Sequence, residues 1–148
     1  MQDSRATLKT VLVVEDYADS RFMMGRLLEM SGYRVLEAAD GREAVQVAER
    51  ECPDVVLMDL QMPVLDGFTA TSIIRRIDST CRVPVIAVSA QSSEDYVAAA
   101  RRVGCDHFVA KPVEFDQLLE LVRECTEGSQ ERVYHAPPKS VTDRQLCV

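Results

Sequence analysis

Five polar side chains stand at the ends of apolar runs in this sequence, where they could act together. Glu15 and Asp16 follow the first run, Asp59 ends a later one, and Ser89 and Lys111 end the last two. If these runs are parallel strands of one sheet, their carboxyl ends lie at the same edge, which is where open parallel sheets bind ligands. We therefore expect three carboxylates, a hydroxyl and an ammonium group in one cleft.

Carboxylates gathered in this way must be neutralised. Two of them about 5 Å apart repel by roughly 3 kcal/mol at an effective dielectric of about 20, so three require protons, a cation or full solvation. Oxygen ligands with no histidine or cysteine nearby favour Mg²⁺, for which Mn²⁺ could substitute. A metal-bound carboxylate beside a lysine and a hydroxyl suits a phosphoryl group, and an aspartate can itself accept that group as an aspartyl-phosphate.

Each of these residues also has an ordinary interpretation. A single acid after a strand is usually a loop residue, Lys111-Pro112 alone would be a turn, and Ser89 alone would be a strand end. Phe108, in the last apolar run, would most often be a core residue. The ordinary interpretation explains poorly why polar groups of these types end four strands of one chain.

The elements that would position the polar residues alternate along the chain. Short apolar runs rich in β-branched residues alternate with segments whose apolar residues recur at helical spacing, and Asp40, Asp66 and Ser93 are placed to cap helices. Strands are predicted at 10–16, 33–39, 54–59, 83–90 and 105–112, and helices at 17–32, 41–51, 66–78, 94–104 and 114–125. This alternation predicts an α/β fold with a five-stranded parallel sheet covered on both faces.

One domain is predicted, over residues 10–127. Residues 1–9 are expected to be a flexible N-terminus. After residue 127 no apolar period is sustained, and Pro137-Pro138 is incompatible with a helix. Residues 128–148 are therefore predicted to be a flexible C-terminal tail, too short and irregular for a second domain.

Charge and composition exclude several classes of protein. The net charge of −7 is opposite in sign to that of proteins that bind nucleic acid or anionic membranes unaided. No apolar run reaches the length of a membrane span or resembles a signal peptide, so a cytoplasmic protein is expected. The five cysteines are widely spread with no CxxC pair, which predicts neither a zinc site nor a disulfide framework.

From residue 10 to 127 the sequence resembles the receiver domain of two-component response regulators, the CheY-like family. The resemblance rests on the pair Glu15-Asp16, Asp59 within MDLQMPVLDG, Ser89 before a small residue, Phe108, and Lys111-Pro112, at spacings that agree with the family. It implies a flavodoxin-like, doubly wound fold with strand order 2-1-3-4-5. It also implies Mg²⁺-dependent phosphotransfer onto an aspartate from a sensor histidine kinase or a histidine phosphotransfer protein.

The resemblance assigns roles to individual residues. Asp59 would be the phosphoacceptor, and Asp16, Asp59 and the backbone carbonyl of Gln61 would bind the metal, with Glu15 acting mainly through water. Lys111 would pair with the phosphoryl group, and Ser89 would move toward it.

The resemblance also implies an output surface. Phe108 would change rotamer and remodel the face formed by the fourth helix, fifth strand and fifth helix, which contacts a downstream target protein. The Lys111-Pro112 bond is often cis in the family, and the sequence leaves open whether it is cis or trans here. The protein would be a single-domain switch rather than an enzyme, with only self-phosphotransfer and autodephosphorylation as activities.

Three alternatives belong to other classes. An aspartyl phosphatase would typically have a second acid two residues after its nucleophile, where this chain has Gln61. A flavin-binding domain would offer hydroxyls and backbone donors after the first strand, where this chain has Glu15 and Asp16. A receiver-like scaffold that is never phosphorylated is disfavoured by the complete set of acids, hydroxyl and lysine, but stays open.

Overall fold

The computed structural model describes residues 8–127. Residues 1–7 and 128–148 lie outside the described residues, and with them the predicted C-terminal tail and most of the predicted flexible N-terminus.

Five strands alternate with five helices along the described chain. In order they are β1 (Thr10–Val14), α1 (Ala18–Met30), β2 (Arg34–Ala38), α2 (Gly41–Glu51), β3 (Val55–Asp59), α3 (Gly67–Ile74), β4 (Val85–Ser89), α4 (Glu94–Val103), β5 (His107–Ala110) and α5 (Phe115–Glu127). All strand pairs are parallel, in the order β2-β1-β3-β4-β5. The predicted α/β class and the strand order are confirmed.

The sheet separates two apolar layers. Strands β1, β3 and β4 are buried along their whole length, and successive side chains point to opposite faces. Leu12, Val56 and Val85 pack with buried residues of α2, α3 and α4, whereas Val11 and Ile86 pack with those of α1 and α5. The central strands are therefore fixed from both sides, which holds their carboxyl ends in place.

The predicted helix caps are present. The side chains of Asp40, Asp66 and Ser93 accept hydrogen bonds from backbone amides in the first turns of α2, α3 and α4. Each of these bonds satisfies an amide that has no partner within its helix. The caps also fix where the chain leaves the carboxyl edge of the sheet and turns into each helix.

The largest difference between the predicted and the observed helix boundaries is at the end of α3. The third helix was expected to reach residue 78, but α3 ends at Ile74, and Ile77 lies in the turns that follow. The hydroxyl of Thr80 donates to the carbonyl oxygen of Ile74 at 2.8 Å. A side chain six residues further along the chain thus satisfies a helix-terminal carbonyl and closes the helix early.

Two further features of the described chain are the bonding of its cysteines and the character of its helices. Cys52 and Cys105 are free thiols, whereas Cys81 is disulfide-bonded, which the wide spacing of the cysteines did not predict. Within residues 8–127, no helix is both long and apolar enough to cross a membrane.

Candidate functional site

Asp59 is held rigidly at the carboxyl end of β3. Only 4% of its surface is exposed, and its Oδ1 accepts a hydrogen bond from the amide of Gln61 at 3.2 Å. Gly67 begins α3 directly against it, and a Cβ at Gly67 would collide with the carbonyl oxygen of Asp59. The sequence Asp66-Gly67 thus serves two purposes, because Asp66 caps α3 and Gly67 allows the helix to approach the strand end.

Glu15 and Asp16 lie beside Asp59, as predicted. They follow β1, which pairs with β3 so that Val14 lies opposite Met58. Carboxylate oxygens of Glu15, Asp16 and Asp59 all lie within 4.8 Å of one another. This edge is the point at which the strand order reverses, where doubly wound sheets bind their ligands.

Lys111 joins the acidic group from the end of β5. Its Nζ lies 3.2 Å from Oε1 of Glu15 and 3.6 Å from Oδ2 of Asp59. The peptide bond from Lys111 to Pro112 is cis. The backbone amide of Lys111 donates to the carbonyl oxygen of Ser89 at 2.9 Å, which ties the ends of β4 and β5 together beside the acids.

The electrostatics of the group depend on burial. The pKa of Asp59 is raised from 3.8 to about 7, mainly by burial and next by the charge of Glu15, while Lys111 acts in the opposite direction. For Lys111, burial alone would lower the pKa, but the charges of Asp59 and Glu15 outweigh burial and leave the pKa raised. One lysine therefore does not offset burial and the neighbouring acid, and Asp59 is mainly protonated below about pH 7 unless a cation is bound.

The donor set fits a hard divalent cation. All three acids offer carboxylate oxygens, Gln61 follows Asp59 by two residues on an exposed loop, and no histidine or cysteine belongs to the group. A bound Mg²⁺ would remove the repulsion that raises the pKa of Asp59, since it attracts each carboxylate.

Ser89 and Phe108 occupy different surroundings from the acids. Ser89 ends β4 and is fully buried, and its Oγ accepts a hydrogen bond from the amide of Gln91 at 3.0 Å. Phe108 is partly buried in β5, where it packs on the core and also lines a groove between β5 and α5. The structure thus brings Glu15, Asp16, Asp59 and Lys111 together, places Ser89 next to them through the backbone, and leaves Phe108 one step further away.

Arg21 also belongs to the site, and the sequence did not indicate it. Its Nη1 donates to the carbonyl oxygen of Glu15 at 2.8 Å, and its Nε lies 3.2 Å from Oε1 of Glu37. An arginine on an amphipathic helix normally lies on the solvated face. No spacing rule distinguishes Arg21 from the other arginines, because its contact depends on how α1 packs beside β2.

An apolar cleft opens onto the acids. It lies between α1 and the loop from β5 to α5 and has a volume of about 320 Å³. Asp59, Lys111 and Glu15 line its polar end, and Met23, Met24, Leu27, Pro112, Val113 and Phe115 line the rest. Three apolar residues of α1 are largely exposed: Phe22 and Met23 are each 62% exposed, and Met30 is 74% exposed.

Comparison with known proteins gives a consistent result. Residues 11–123 match the family model described as the response regulator receiver domain. The chain is 35% identical to the protein PilH of Pseudomonas aeruginosa, covering 80% of this chain and 98% of that protein. It is 37% identical to the transcriptional regulatory protein PrrA of Mycobacterium tuberculosis over 82% of this chain, and spans about half of PrrA, 51% of its length.

A solved structure with a related sequence shares the fold. The receiver domain of the sensor histidine kinase PA1611 of Pseudomonas aeruginosa, solved with a magnesium ion coordinated in its active-site cleft, is 34% identical. The two superpose with a TM-score of 0.76, covering 81% of this chain and 98% of that one. The strand order and the position of the acids agree with this result. The match over residues 11–123 shows that the chain belongs to the response regulator receiver domain family.

Proposed function

We propose that Asp59 accepts a phosphoryl group, in a Mg²⁺-dependent reaction, from a phosphohistidine of a sensor histidine kinase or a histidine phosphotransfer protein. An oxygen of the Asp59 carboxylate bonds to phosphorus while the bond from phosphorus to the imidazole nitrogen of the donor breaks, and that nitrogen takes up a proton. The observation that carries the proposal is the group of three carboxylates within 4.8 Å, with Lys111 3.6 Å from Asp59.

The metal site uses oxygen atoms of this chain. Asp16, Asp59 and the backbone carbonyl of Gln61 are the direct ligands, Glu15 acts through water, and Mn²⁺ substitutes for Mg²⁺. A dication at this position offsets the charge of the phosphoryl oxygens. It also keeps Asp59 ionised, which supports its role as nucleophile, since the raised pKa shows how poorly the isolated cluster tolerates that charge.

Lys111 and Ser89 respond to the new group. The ammonium of Lys111 exchanges Glu15 and Asp59 for phosphoryl oxygens, because these carry more charge than a single carboxylate. The hydroxyl of Ser89 gives up the hydrogen bond from Gln91 and donates to a phosphoryl oxygen. Both changes act on the ends of β4 and β5, which the bond from the Lys111 amide to Ser89 already joins.

The output is a protein contact on the face of α4, β5 and α5. Phe108 lies between the core and the groove along α5, so a change of its rotamer alters that surface. The groove is edged by Glu114, Glu120 and Glu124, and within residues 8–127 none of these carboxylates forms an ion pair. An acidic edge repels phosphates, which favours a target protein over nucleic acid.

The protein is thus a phosphoacceptor switch rather than an enzyme that acts on other molecules. Phosphorylation shifts an equilibrium between two states of the output face. We also propose that the protein acts in the cytoplasm, where it would meet its proposed phosphohistidine donors.

The test is phosphorylation by a small acyl phosphate with Mg²⁺, followed by intact mass spectrometry. The wild-type chain is expected to gain one phosphoryl group, and Asp59→Asn to gain none. Asp66→Asn is the matched control, because asparagine still caps α3 and this variant should be labelled normally. If the wild-type chain binds Mg²⁺ yet stays unmodified with donor in excess, it is a scaffold and not a phosphoacceptor.

A further inference from the structure

Arg21 connects the loop that carries two of the acids to a neighbouring strand. It lies near the start of α1, and its side chain is 20% exposed. Its Nη1 donates to the carbonyl oxygen of Glu15 at 2.8 Å, and its Nε donates to Oε1 of Glu37 in β2 at 3.2 Å. The guanidinium group therefore spans from β2 to the loop between β1 and α1.

The bond to Glu15 acts on both acids at once. The carbonyl group of Glu15 and the amide group of Asp16 form one planar peptide unit. Fixing the carbonyl oxygen therefore fixes the plane from which the Glu15 and Asp16 side chains both leave the backbone. The planar guanidinium is suited to this, because it can hold two acceptors in fixed directions.

The remaining bonds of the loop are consistent with a fixed geometry. The amide of Glu15 donates to the carbonyl oxygen of Ala38 in β2 at 3.1 Å. The carboxylate of Glu15 accepts a hydrogen bond from the amide of Tyr17 at 3.1 Å. Arg21 holds the carbonyl oxygen of the Glu15–Asp16 peptide unit. Without Arg21, this oxygen would accept hydrogen bonds from water instead.

We propose that Arg21 is a positioning residue for the metal-binding acids, which raises the affinity of the site for a divalent cation by fixing the Glu15–Asp16 peptide. This rests on the proposed function for the identity of the metal ligands. The proposal predicts that loss of Arg21 lowers the affinity of the site for the cation. A lone arginine at this partly exposed position would weaken cation binding by no more than about twofold, and its pairing with Glu37 reduces that repulsion further, so the geometric effect dominates.

The experiment separates geometry from charge. Arg21→Met/Glu37→Gln removes both members of the pair and leaves the net charge unchanged, while Glu37→Gln alone removes the ion pair and keeps the bond to the carbonyl of Glu15. Mg²⁺ dissociation constants are measured by calorimetry on each full chain. Relative to wild type, the double variant is expected to bind about tenfold more weakly, and Glu37→Gln to stay within about twofold. Arg21→Lys, which keeps one cationic donor, is expected to fall between them.

A second readout needs no metal. In the metal-free double variant, the amides of Asp16 and Tyr17 are expected to exchange with solvent faster than in Glu37→Gln, because the loop has lost its anchor. A purely structural role would lower the unfolding midpoint without changing the Mg²⁺ dissociation constant of the folded protein. Equal dissociation constants and equal exchange in the two variants would overturn the proposal.

Failure of the proposed function gives a different pattern. If Asp59 accepts no phosphoryl group, the comparison of Mg²⁺ affinities is unaffected. If the wild-type chain binds no Mg²⁺, the assigned metal site is wrong and the affinity part of the proposal falls with it. The amide exchange then decides alone whether Arg21 positions the loop.

Discussion

The ammonium group of Lys111 lies 3.2 Å from a carboxylate oxygen of Glu15, closer than the 3.6 Å that separates it from Asp59. Lys111 is thus shared between an acid that follows β1 and an acid that ends β3. If Lys111 moves onto a phosphoryl group, as proposed, the contact between Lys111 and Glu15 must break. Under the proposed function, Glu15 would therefore take part in the switch as well as in metal binding.

Replacing Lys111 with alanine should separate metal binding from the response to phosphorylation. Mg²⁺ binding is expected to persist, because the acids remain and a nearby positive charge is lost. The phosphorylated form loses its cationic partner, so the shifts of β5 and α5 amide resonances that follow phosphorylation should largely disappear. Lys9→Ala, at an exposed lysine, should behave as wild type in both assays. Loss of Mg²⁺ binding in Lys111→Ala would contradict the assigned role.

The raised pKa of Asp59 predicts how stability depends on pH in metal-free buffer. Between about pH 4 and pH 7 the unfolded chain has released the Asp59 proton and the folded chain retains it. The unfolded state then binds fewer protons, so the free energy of unfolding should fall as pH rises through this window. The full effect has an upper bound of roughly 4 kcal/mol.

Asp59→Asn provides the check, because asparagine cannot ionise. Chemical denaturation should show the variant more stable than wild type above about pH 7, by one to a few kcal/mol, with the difference nearly gone near about pH 4. Saturating Mg²⁺ should reduce the difference, since the cation stabilises the ionised wild-type carboxylate. A wild-type stability that stays constant between these two pH values would show that burial of Asp59 carries no such penalty.

Val64 stores strain in the loop that follows Asp59. Its φ is 68°, in the left-handed region, and its side chain is 71% exposed. A β-branched residue gains nothing there from packing and pays about 1–2 kcal/mol in backbone energy. Val64→Asn is expected to raise the free energy of unfolding by about 1 kcal/mol, because asparagine tolerates this region. Urea denaturation measures the change, with Val64→Ala as the control that removes the side chain without favouring left-handed backbone. An equal effect of the two substitutions would place the strain elsewhere.

Much of the fold was predictable because β1, β3 and β4 are buried on both faces. Their continuous apolar runs, followed by polar residues, identify both the strands and the edge at which Asp59 lies. The end of α3 was not predictable, because it depends on the hydroxyl of Thr80 reaching the carbonyl of Ile74. The exposure of Met23 and Met30 was also not predictable, since both lie at helical spacing from Leu27 but are mainly exposed.

The candidate site shows the same division. Residue type and strand-end position were sufficient to bring the acids and Lys111 together. The contact of Arg21 with Glu15 was not predictable, because it needs the packing of α1 beside β2 and not any local pattern. The hydrogen bond that Ser89 accepts from Gln91 is likewise a detail of the loop after β4 that the sequence does not indicate.

The exposed apolar residues of α1 predict a difference between protein and small-molecule donors. Met23 lines the cleft beside Asp59 and is 62% exposed, so a donor protein whose histidine reaches Asp59 would cover it. Burial of a methionine side chain contributes about 1–2 kcal/mol to such an interface. Met23→Ala is therefore expected to weaken the binding of a phosphorylated histidine phosphotransfer protein by about fivefold to twentyfold, and to slow transfer at low donor concentration in proportion. Phosphorylation by a small acyl phosphate should change by less than about twofold, because that donor is too small to depend on the same contact.

Met30→Ala is the matched control for Met23→Ala. Met30 is 74% exposed on the same helix, about 10 Å further along its axis from Met23 at about 1.5 Å per residue, and alanine favours the helix equally at both positions. Transfer from the donor protein should therefore be slowed more by Met23→Ala than by Met30→Ala. Equal slowing of transfer by the two substitutions would place the donor along the whole of α1 rather than over the cleft. If Met23→Ala slows phosphorylation by the acyl phosphate as much as phosphorylation by the donor protein, then Met23 supports the reaction site itself and not donor docking.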